Sequence, residues 1–358
     1  MSRKLYLFLF LLLLCCKPLF SLADGNQALG NTYNETICGL NFTTASSVLG
    51  QRFTPPGPAQ PVALNIAGIP AGAVIEKAFL YVEGSGNGAA MTATITGPLG
   101  TQNFPMTHIG AAADKCWGYS GSHTYRADVT AAVNGNGVYN TSGLLVGGPP
   151  NDMDGCTLIV IYSQPAQLWT GTLVINDGAV EGGITNPQNV TLTANYAPIC
   201  GPTTNGVAFM GIGDLQPNVA QTATLTFNNT NWPLSSDWWD YAQVNTTYTV
   251  GQSSSDFNVN STSSGDCWNI AFIGVYYQNT SCAVCVPPVV NLDSTMIPAT
   301  CDECNGTATV IATGSPIGYT YTWSTGDTTA SVSGLCPGTY SVTVQSGPTI
   351  ETATVTVT

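Results

Sequence analysis

The sequence predicts an all-β fold, and three observations support this. Apolar residues recur at every second position over much of the chain, which is the period of a strand with one buried face. Only 8% of residues are charged, whereas exposed helix faces are usually built from Lys and Glu. Thr, Asn, Gly and Ser supply most polar positions, and this composition is typical of strands and turns.

The predicted strands are of two kinds. Alternating segments indicate strands with one solvated face, and they lie at 91–96, 190–196 and 222–227. Continuously apolar segments indicate central strands buried on both faces, and they lie at 78–82, 156–162 and 269–277. Clusters rich in Gly, Asn and Pro between them are turns, for example at 83–88 and 147–151.

A weak internal similarity bears on the architecture of the larger region, residues 24–281. The segments 154–162 and 265–277 each place a turn with an acidic residue before a cysteine and a long buried strand. This pattern favours two similar sandwiches, divided near residues 180–200. One large jelly-roll-like β-sandwich is the competing interpretation, and the sequence leaves both open.

The first 23 residues have the features of a signal peptide. Arg3 and Lys4 precede an apolar run at 5–14, and Ser21 and Ala23 occupy the small-residue positions of a cleavage site. No later segment is long and apolar enough to be a membrane helix. We therefore expect an exported protein, either secreted or held at the cell surface.

Basic residues are almost absent after the leader, where only Arg52, Lys77, Lys115 and Arg126 remain against twenty Asp and Glu. Nucleic-acid binding requires basic side chains that neutralise phosphates, so this function is excluded. The same shortage argues against binding to an anionic membrane surface.

Ten cysteines follow the leader, and in an exported chain an even number favours disulfides, although their connectivity stays open. They are Cys38, Cys116, Cys156, Cys200, Cys267, Cys282, Cys285, Cys301, Cys304 and Cys336. The last four before Cys336 also have zinc-ribbon spacing. The oxidising compartment and the prolines between the two pairs favour disulfides over zinc.

The C-terminal region begins after a proline-containing linker at 282–296. Residues 297–358 contain a Cys-x-x-Cys pair at 301–304, a Trp-Ser at 323–324 and Gly-Leu-Cys-Pro-Gly-Thr-Tyr at 334–340. Alternating Val and Thr after that last motif indicate the closing strand of an immunoglobulin-like β-sandwich.

In this order, the motifs resemble the SprB-type repeat of Bacteroidetes gliding-motility and cell-surface adhesins. The resemblance implies a spacer in a repeat array. The sequence ends abruptly in alternating Thr and Val at 354–358, and we interpret it as a fragment of a longer reading frame or its early end. The repeat usually ends in Asn-Gly-Cys, and 346–350 departs from this, which leaves the pairing of Cys301, Cys304 and Cys336 open.

The larger region resembles the β-sandwich modules of large bacterial surface proteins. The resemblance rests on the order of four short segments, at 68–82, 125–130, 154–162 and 176–178. It implies that residues 24–281 form the head on which a ligand would bind.

Two candidate binding sites stand out in the head. Aromatic rings can stack on sugar faces, so Trp232, Trp238, Trp239 and Tyr241 are candidates for a carbohydrate site; the alternative places one ring of the Trp-Trp pair in the core. Asp152 and Asp154 resemble part of a calcium loop, with Asp177 or Asp214 as further ligands. The alternative for this segment is a plain Asp-Gly hairpin turn.

Catalytic motifs are scarce. His108 and His123 are the only histidines, neither in a nucleophile motif, and Asp237 and Asp240 flank the aromatic cluster as the only suggestive acidic pair. We therefore expect a non-enzymatic structural or adhesive protein whose partner is an extracellular surface, glycan or matrix component. A carbohydrate-binding module and a secreted glycoside hydrolase are the alternatives.

Overall fold

The structure, a computed structural model, describes residues 29–51, 56–114, 116–182, 189–215, 224–227, 230–232, 238–260, 267–280, 290–300, 303–314, 318–346 and 349–358. These residues form strands and one short 3-10 turn at Thr130–Ala132, which confirms the all-β prediction. The strands are β1 (Gly30–Cys38), β2 (Asn41–Val48), β3 (Val62–Ile66), β4 (Val74–Gly86), β5 (Thr92–Gly97), β6 (Gly100–Pro105), β7 (Thr107–Ala112), β8 (Gly121–Asp128), β9 (Gly137–Ser142), β10 (Asp152–Ser163), β11 (Thr170–Gly182), β12 (Asn189–Asn195), β13 (Thr203–Leu215), β14 (Thr224–Phe227), β15 (Thr230–Trp232), β16 (Trp238–Thr246), β17 (Ser254–Asn260), β18 (Trp268–Asn279), β19 (Asn291–Ile297), β20 (Gly306–Thr313), β21 (Thr320–Trp323), β22 (Ser331–Leu335), β23 (Gly338–Ser346) and β24 (Thr349–Val357).

The head contains the same eight-strand topology twice. In the first half the sheets have the orders β2-β10-β4-β8-β7 and β3-β9-β5-β6. In the second half they have the orders β1-β11-β18-β13-β16 and β12-β17-β14-β15. Apart from the additional strands β7 and β1, each half has eight strands. Numbered along the chain within each half, the first, eighth, third and sixth strands form one sheet, and the second, seventh, fourth and fifth form the other. This is the two-sheet arrangement of a jelly roll, so the head is a double jelly roll.

This duplication explains the internal similarity in the sequence. The segments 154–162 and 265–277 contribute to β10 and β18, which occupy the eighth position of their respective jelly rolls. Two similar sandwiches, rather than one large one, are therefore the arrangement found in the described residues. They divide between β10 and β11, at 164–169, and not near residues 180–200 as the sequence suggested.

The four sheets of the head are stacked in layers, with an apolar cluster inside each jelly roll and a third between the two inner sheets. Rings dominate the middle cluster, among them Phe79, Tyr81, Phe209 and Phe272. Because both inner sheets are covered on both faces, β10 and β18 are buried along their whole length, as their continuous apolar sequences predict. The outer strand β3 instead alternates between buried and exposed residues.

The inner sheets approach each other closely at two glycines. A Cβ atom on Gly155 of β10 would lie 2.1 Å from the ring of Trp239 on β16. A Cβ atom on Gly213 of β13 would overlap the Glu83 carboxylate of β4. Neither position tolerates a side chain unless the sheets separate.

A buried ion pair also joins the inner sheets. Arg126 on β8 contacts Asp177 on β11, whose side chain is 6% exposed. The Tyr81 hydroxyl donates to Asp177 Oδ2 over 2.8 Å, and Thr32 Oγ1 donates to Oδ1 over 2.7 Å. Burial, followed by the charge of Asp177, raises the pKa of Tyr81 well above its ordinary value, so its hydroxyl remains a donor.

Disulfides are present in both parts of the molecule. Cys116 pairs with Cys267 and joins the two jelly rolls, whereas Cys304 pairs with Cys336 in the C-terminal sandwich. Cys38 and Cys200 are also disulfide-bonded. The pairing of Cys304 removes it from a zinc-ribbon site. Of the remaining candidates, Cys282, Cys285 and Cys301 lie outside the described residues.

Cys156 corrects the prediction that it forms a disulfide. It is a free thiol on β10, fully buried in the apolar cluster of the first jelly roll. There it packs as a small apolar side chain, a role in which cysteine is common.

The C-terminal region is a small sandwich of the sheets β19-β20-β22 and β21-β23-β24. Its core is built around Trp323, Val342 and Val344. This agrees with the predicted immunoglobulin-like β-sandwich. Its first strand, β19, begins at Asn291, inside the segment expected to be linker. The predicted signal peptide lies outside the described residues, and among those that are described no helix has the length and apolarity needed to cross a membrane.

The buried ion pair should contribute much more stability than an exposed one. Asp177→Ala leaves the charge of Arg126 buried without its counterion, and we expect a loss of about 3–5 kcal/mol in the free energy of unfolding. The control is Lys77→Ala, which breaks the more exposed Lys77–Asp128 pair and should cost about 1 kcal/mol or less. Chemical denaturation of both variants measures the difference, and equal losses would contradict a larger contribution from the buried pair.

The Cys156 thiol should be unreactive in the folded protein. Burial raises its pKa to about 12, so at about pH 8.5, near the ordinary thiol pKa, it stays protonated as well as inaccessible. Alkylation followed by peptide mass spectrometry should find Cys156 unmodified in the native protein and modified in denaturant. Modification at equal rates in both states would show that the inner sheet is open at β10.

Candidate functional site

An open groove runs between the edges of the two inner sheets. Strand β2 is one edge of the first inner sheet, and β16 is one edge of the second. The groove consists of two adjoining cavities of about 420 and 310 Å³ that share Thr44. Its lining, called here the amide groove, comprises Asn41, Phe42, Thr43, Thr44, Ala45, Ser46, Ser47, Val48, Asn205, Val207, Trp239, Asp240, Tyr241, Gln243, Tyr276 and Gln278.

The groove is long and narrow because two strands define it. All eight residues of β2 line it, which corresponds to roughly 24 Å at about 3.4 Å per residue. Side chains of β13, β16 and β18 form the opposite wall. This shape suits an extended ligand better than a compact one.

One wall carries amides that are fixed by hydrogen bonds. Asn205 lies at a bulge in the pairing of β13 with β18 and has a φ of 49°, a conformation that Asn adopts more readily than most residues. Its Nδ2 donates to Gln278 Oε1 over 2.7 Å, and Gln278 Nε2 donates to the Tyr276 hydroxyl over 2.8 Å. Tyr276 in turn donates to the Leu40 carbonyl over 3.0 Å. The chain of bonds sets the rotamers of this wall before any ligand arrives.

Aromatic rings form the floor of the groove. Phe42 is half-buried, with its ring centroid 4.8 Å from that of Phe209 and 5.4 Å from that of Tyr276. The hydroxyl of half-buried Tyr241 donates to Gln243 Oε1 over 3.1 Å. Burial raises the pKa of both Tyr241 and Tyr276, so their hydroxyls stay protonated at neutral pH.

The four aromatic residues proposed from the sequence do not form one platform. Trp239 is 3% exposed and donates from Nε1 to Thr157 Oγ1 over 3.1 Å, which agrees with the alternative that one ring of the pair lies in the core. Trp239 and Tyr241 contribute to the amide groove. Trp238 is half-buried and does not line the groove, and the side chain of Trp232 lies outside the described residues.

Trp238 instead pairs with Trp117, which no sequence motif marks. Their ring centroids are 5.6 Å apart, and Trp117 Nε1 donates to Asp214 Oδ1. Asp214 and Trp238 have φ values of 68° and 49° at a bulge between β13 and β16. A bulky residue rarely adopts such a conformation, so the surrounding structure must hold Trp238 in place. Trp117 follows Cys116, whose disulfide to Cys267 fixes this corner of the head.

Asp152 and Asp154 lie in β10 and are fully buried, which gives no support to the calcium prediction. Asp152 Oδ1 accepts hydrogen bonds from the backbone N–H groups of Gln51 and Gly147, each over 3.1 Å. Of the suggested further ligands, Asp177 pairs with Arg126 and Asp214 with Trp117. In the described part of the chain, no three His, Cys, Asp or Glu side chains are grouped so as to hold a metal ion.

Charge is nearly absent from the amide groove. Among the described lining residues Asp240 is the only charged residue type, since the remainder are amides, hydroxyl-bearing residues, aromatic residues or aliphatic residues. Asp237, the other member of the acidic pair noted in the sequence, lies outside the described residues. The groove can therefore offer hydrogen bonds and ring contacts, but little electrostatic attraction.

No family model matches the chain, and no curated protein matches it. The groove itself is therefore the basis for inferring a function.

The two neighbouring tryptophans should respond differently to truncation. Trp239→Ala removes a buried ring between the inner sheets and should cost about 3–5 kcal/mol of unfolding free energy. Trp238→Ala removes a half-exposed ring from a strained backbone position and should cost about 1 kcal/mol or less. Urea denaturation compares the two, and a larger loss for Trp238→Ala would contradict the assignment of Trp239 to the core.

Proposed function

We propose that the protein is an exported, non-catalytic adhesive protein whose double jelly roll binds a neutral polysaccharide along the amide groove. The observation that carries this proposal is the lining of the groove, where four side-chain amides and two half-buried aromatic rings face one trough about 24 Å long.

The chemistry of the lining selects the ligand class. Sugar hydroxyls are both donors and acceptors, and Asn and Gln amides offer both capacities on one side chain. Rings such as Phe42 and Tyr241 can pack against the apolar face of a sugar. A strongly anionic or cationic polymer would gain little, because Asp240 is the single ionisable lining residue.

Binding without cleavage is favoured over hydrolysis. Glycoside hydrolases generally use two carboxyl groups that flank the scissile bond. One carboxylate, Asp240, lines the amide groove in the described residues. The two histidines of the chain lie on β7 and β8, away from this groove.

The C-terminal sandwich would serve as a spacer that holds the head away from the cell. Support comes from its resemblance to SprB-type repeats, from its own separate core and from its Cys304–Cys336 disulfide. The signal-peptide pattern of residues 1–23 and the disulfides favour an oxidising, extracellular setting. The extracellular surface, glycan or matrix component contacted by the head would then be its adhesive partner.

The proposal is tested by binding of the whole mature chain to an array of neutral polysaccharides, followed by titration calorimetry on the best ligand. Asn41→Ala and Gln243→Ala each remove one amide from the groove, and each should weaken binding about three- to tenfold, as expected for one hydrogen bond. The matched control is Asn103→Ala, which removes an exposed amide from β6 in an outer sheet and should leave affinity unchanged.

Four outcomes would count against the proposal. Binding to no polysaccharide would reject the ligand class, and binding that Asn103→Ala weakens as much as Gln243→Ala would reject the site. Release of shortened sugar chains would reject the non-catalytic assignment. Capture of extended peptides in place of glycans would show that the β2 and β16 edges bind by strand addition.

A further inference from the structure

The only two histidines of the chain lie side by side at the rim of the first jelly roll. Strands β7 and β8 pair antiparallel, with His108 opposite Tyr125, so His108 and His123 lie on one face of the sheet. A bulge follows His108 and shifts the register before Gly110. His108 Nε2 and His123 Nδ1 are 2.9 Å apart, and the ring centroids are 4.9 Å apart.

The hydrogen bonds around His123 decide which of its nitrogens carries the proton. Its Nε2 lies 3.2 Å from the Gly86 carbonyl oxygen, which can only accept. The proton is therefore on Nε2, and in the neutral ring Nδ1 presents a lone pair toward His108. A ring whose outer N–H is held by a carbonyl while its inner nitrogen faces a second imidazole has the arrangement typical of a metal-ligating histidine.

The pair is also accessible. His123 is 7% exposed, but His108 is exposed to solvent and leaves an entry path.

A glycine lies against the two rings. A Cβ atom on Gly88 would lie 3.2 Å from His123 Cε1 and 3.8 Å from His108 Cε1, so a side chain at this position would press on the pair. Gly88 belongs to the loop after β4, which is held by a bond from the Asn87 backbone N–H to Asn151 Oδ1 and by a bond from the Tyr125 hydroxyl to the Ala89 carbonyl.

We propose that His108 Nε2 and His123 Nδ1 form a binding site for a divalent transition-metal ion, Cu²⁺ in preference to Zn²⁺. Imidazole nitrogen suits both ions, and a given nitrogen site binds copper more tightly than zinc. At Zn–N distances of about 2.0–2.1 Å, tetrahedral ligands lie roughly 3.3 Å apart, so the rings need to separate by about 0.4 Å. On binding, the His108 proton moves from Nε2 to Nδ1, and water completes the coordination.

The test uses the mature chain with Cu²⁺ alone. Electron paramagnetic resonance of the one-to-one complex should show splitting from two nitrogen ligands, and this measurement on the unaltered protein needs no variant to fold. Calorimetry should show a loss of affinity of at least about tenfold for His108→Ala and for His123→Ala, since even the loss of an outer-shell partner typically costs about 10- to 100-fold. Zn²⁺ should bind at the same site more weakly.

The control is Asp128→Asn, which removes an exposed carboxylate at the end of β8 without touching either ring and should leave the affinity unchanged. A spectrum with one nitrogen or none would overturn the proposal. So would a double variant, His108→Ala with His123→Ala, that binds Cu²⁺ as tightly as the unaltered chain. Glycan binding by the amide groove is measured separately and does not depend on either result.

Discussion

The rest of the head depends on the packing of one inner sheet against the other. The Arg126–Asp177 ion pair shows that this packing buries charged groups, which is unfavourable unless they are paired. Only four basic residues follow the predicted leader, and one of them is placed between the sheets with a buried carboxylate. Such a pair is stable only where hydrogen bonds satisfy the remaining atoms, which Tyr81 and Thr32 do here. It fixes how β8 and β11 lie against each other, whereas apolar contact alone is not directional.

The sequence could predict the strands because burial controls their composition. Strands between two layers must be apolar on both faces, whereas strands of an outer sheet need be apolar on one face only. The sequence patterns of β10, β18 and β3 therefore indicate the layer to which each strand belongs. Cys156 was misassigned because a buried thiol and a disulfide-bonded cysteine look the same in a sequence. The equivalence of β10 and β18 was visible only as a short sequence similarity, because two jelly rolls can have the same topology while sharing few residues.

The candidate site could not be predicted in the same way. The amide groove brings together residues as distant as Asn41, Asn205 and Gln278, and each alone resembles an ordinary polar position of a strand. The bulge at Asn205 depends on backbone geometry, since it arises from a register shift that propensity does not reveal, and the same is true of the strained Trp238 outside the groove. Of the aromatic cluster, the sequence identified Trp239 and Tyr241 but not their role as wall and floor of a groove.

The duplication also explains why the groove lies where it does. Two jelly rolls stacked through equivalent sheets bring a first strand beside a sixth strand twice, once as β2 with β16 and once as β11 with β8. On the second side, β1 extends one sheet and β7 the other, and Arg126 of β8 pairs with Asp177 of β11. On the first side no extra strand is added among the described residues, and amides occupy the trough. Two added strands and one ion pair thus close one of two equivalent positions, and the other stays open as the amide groove.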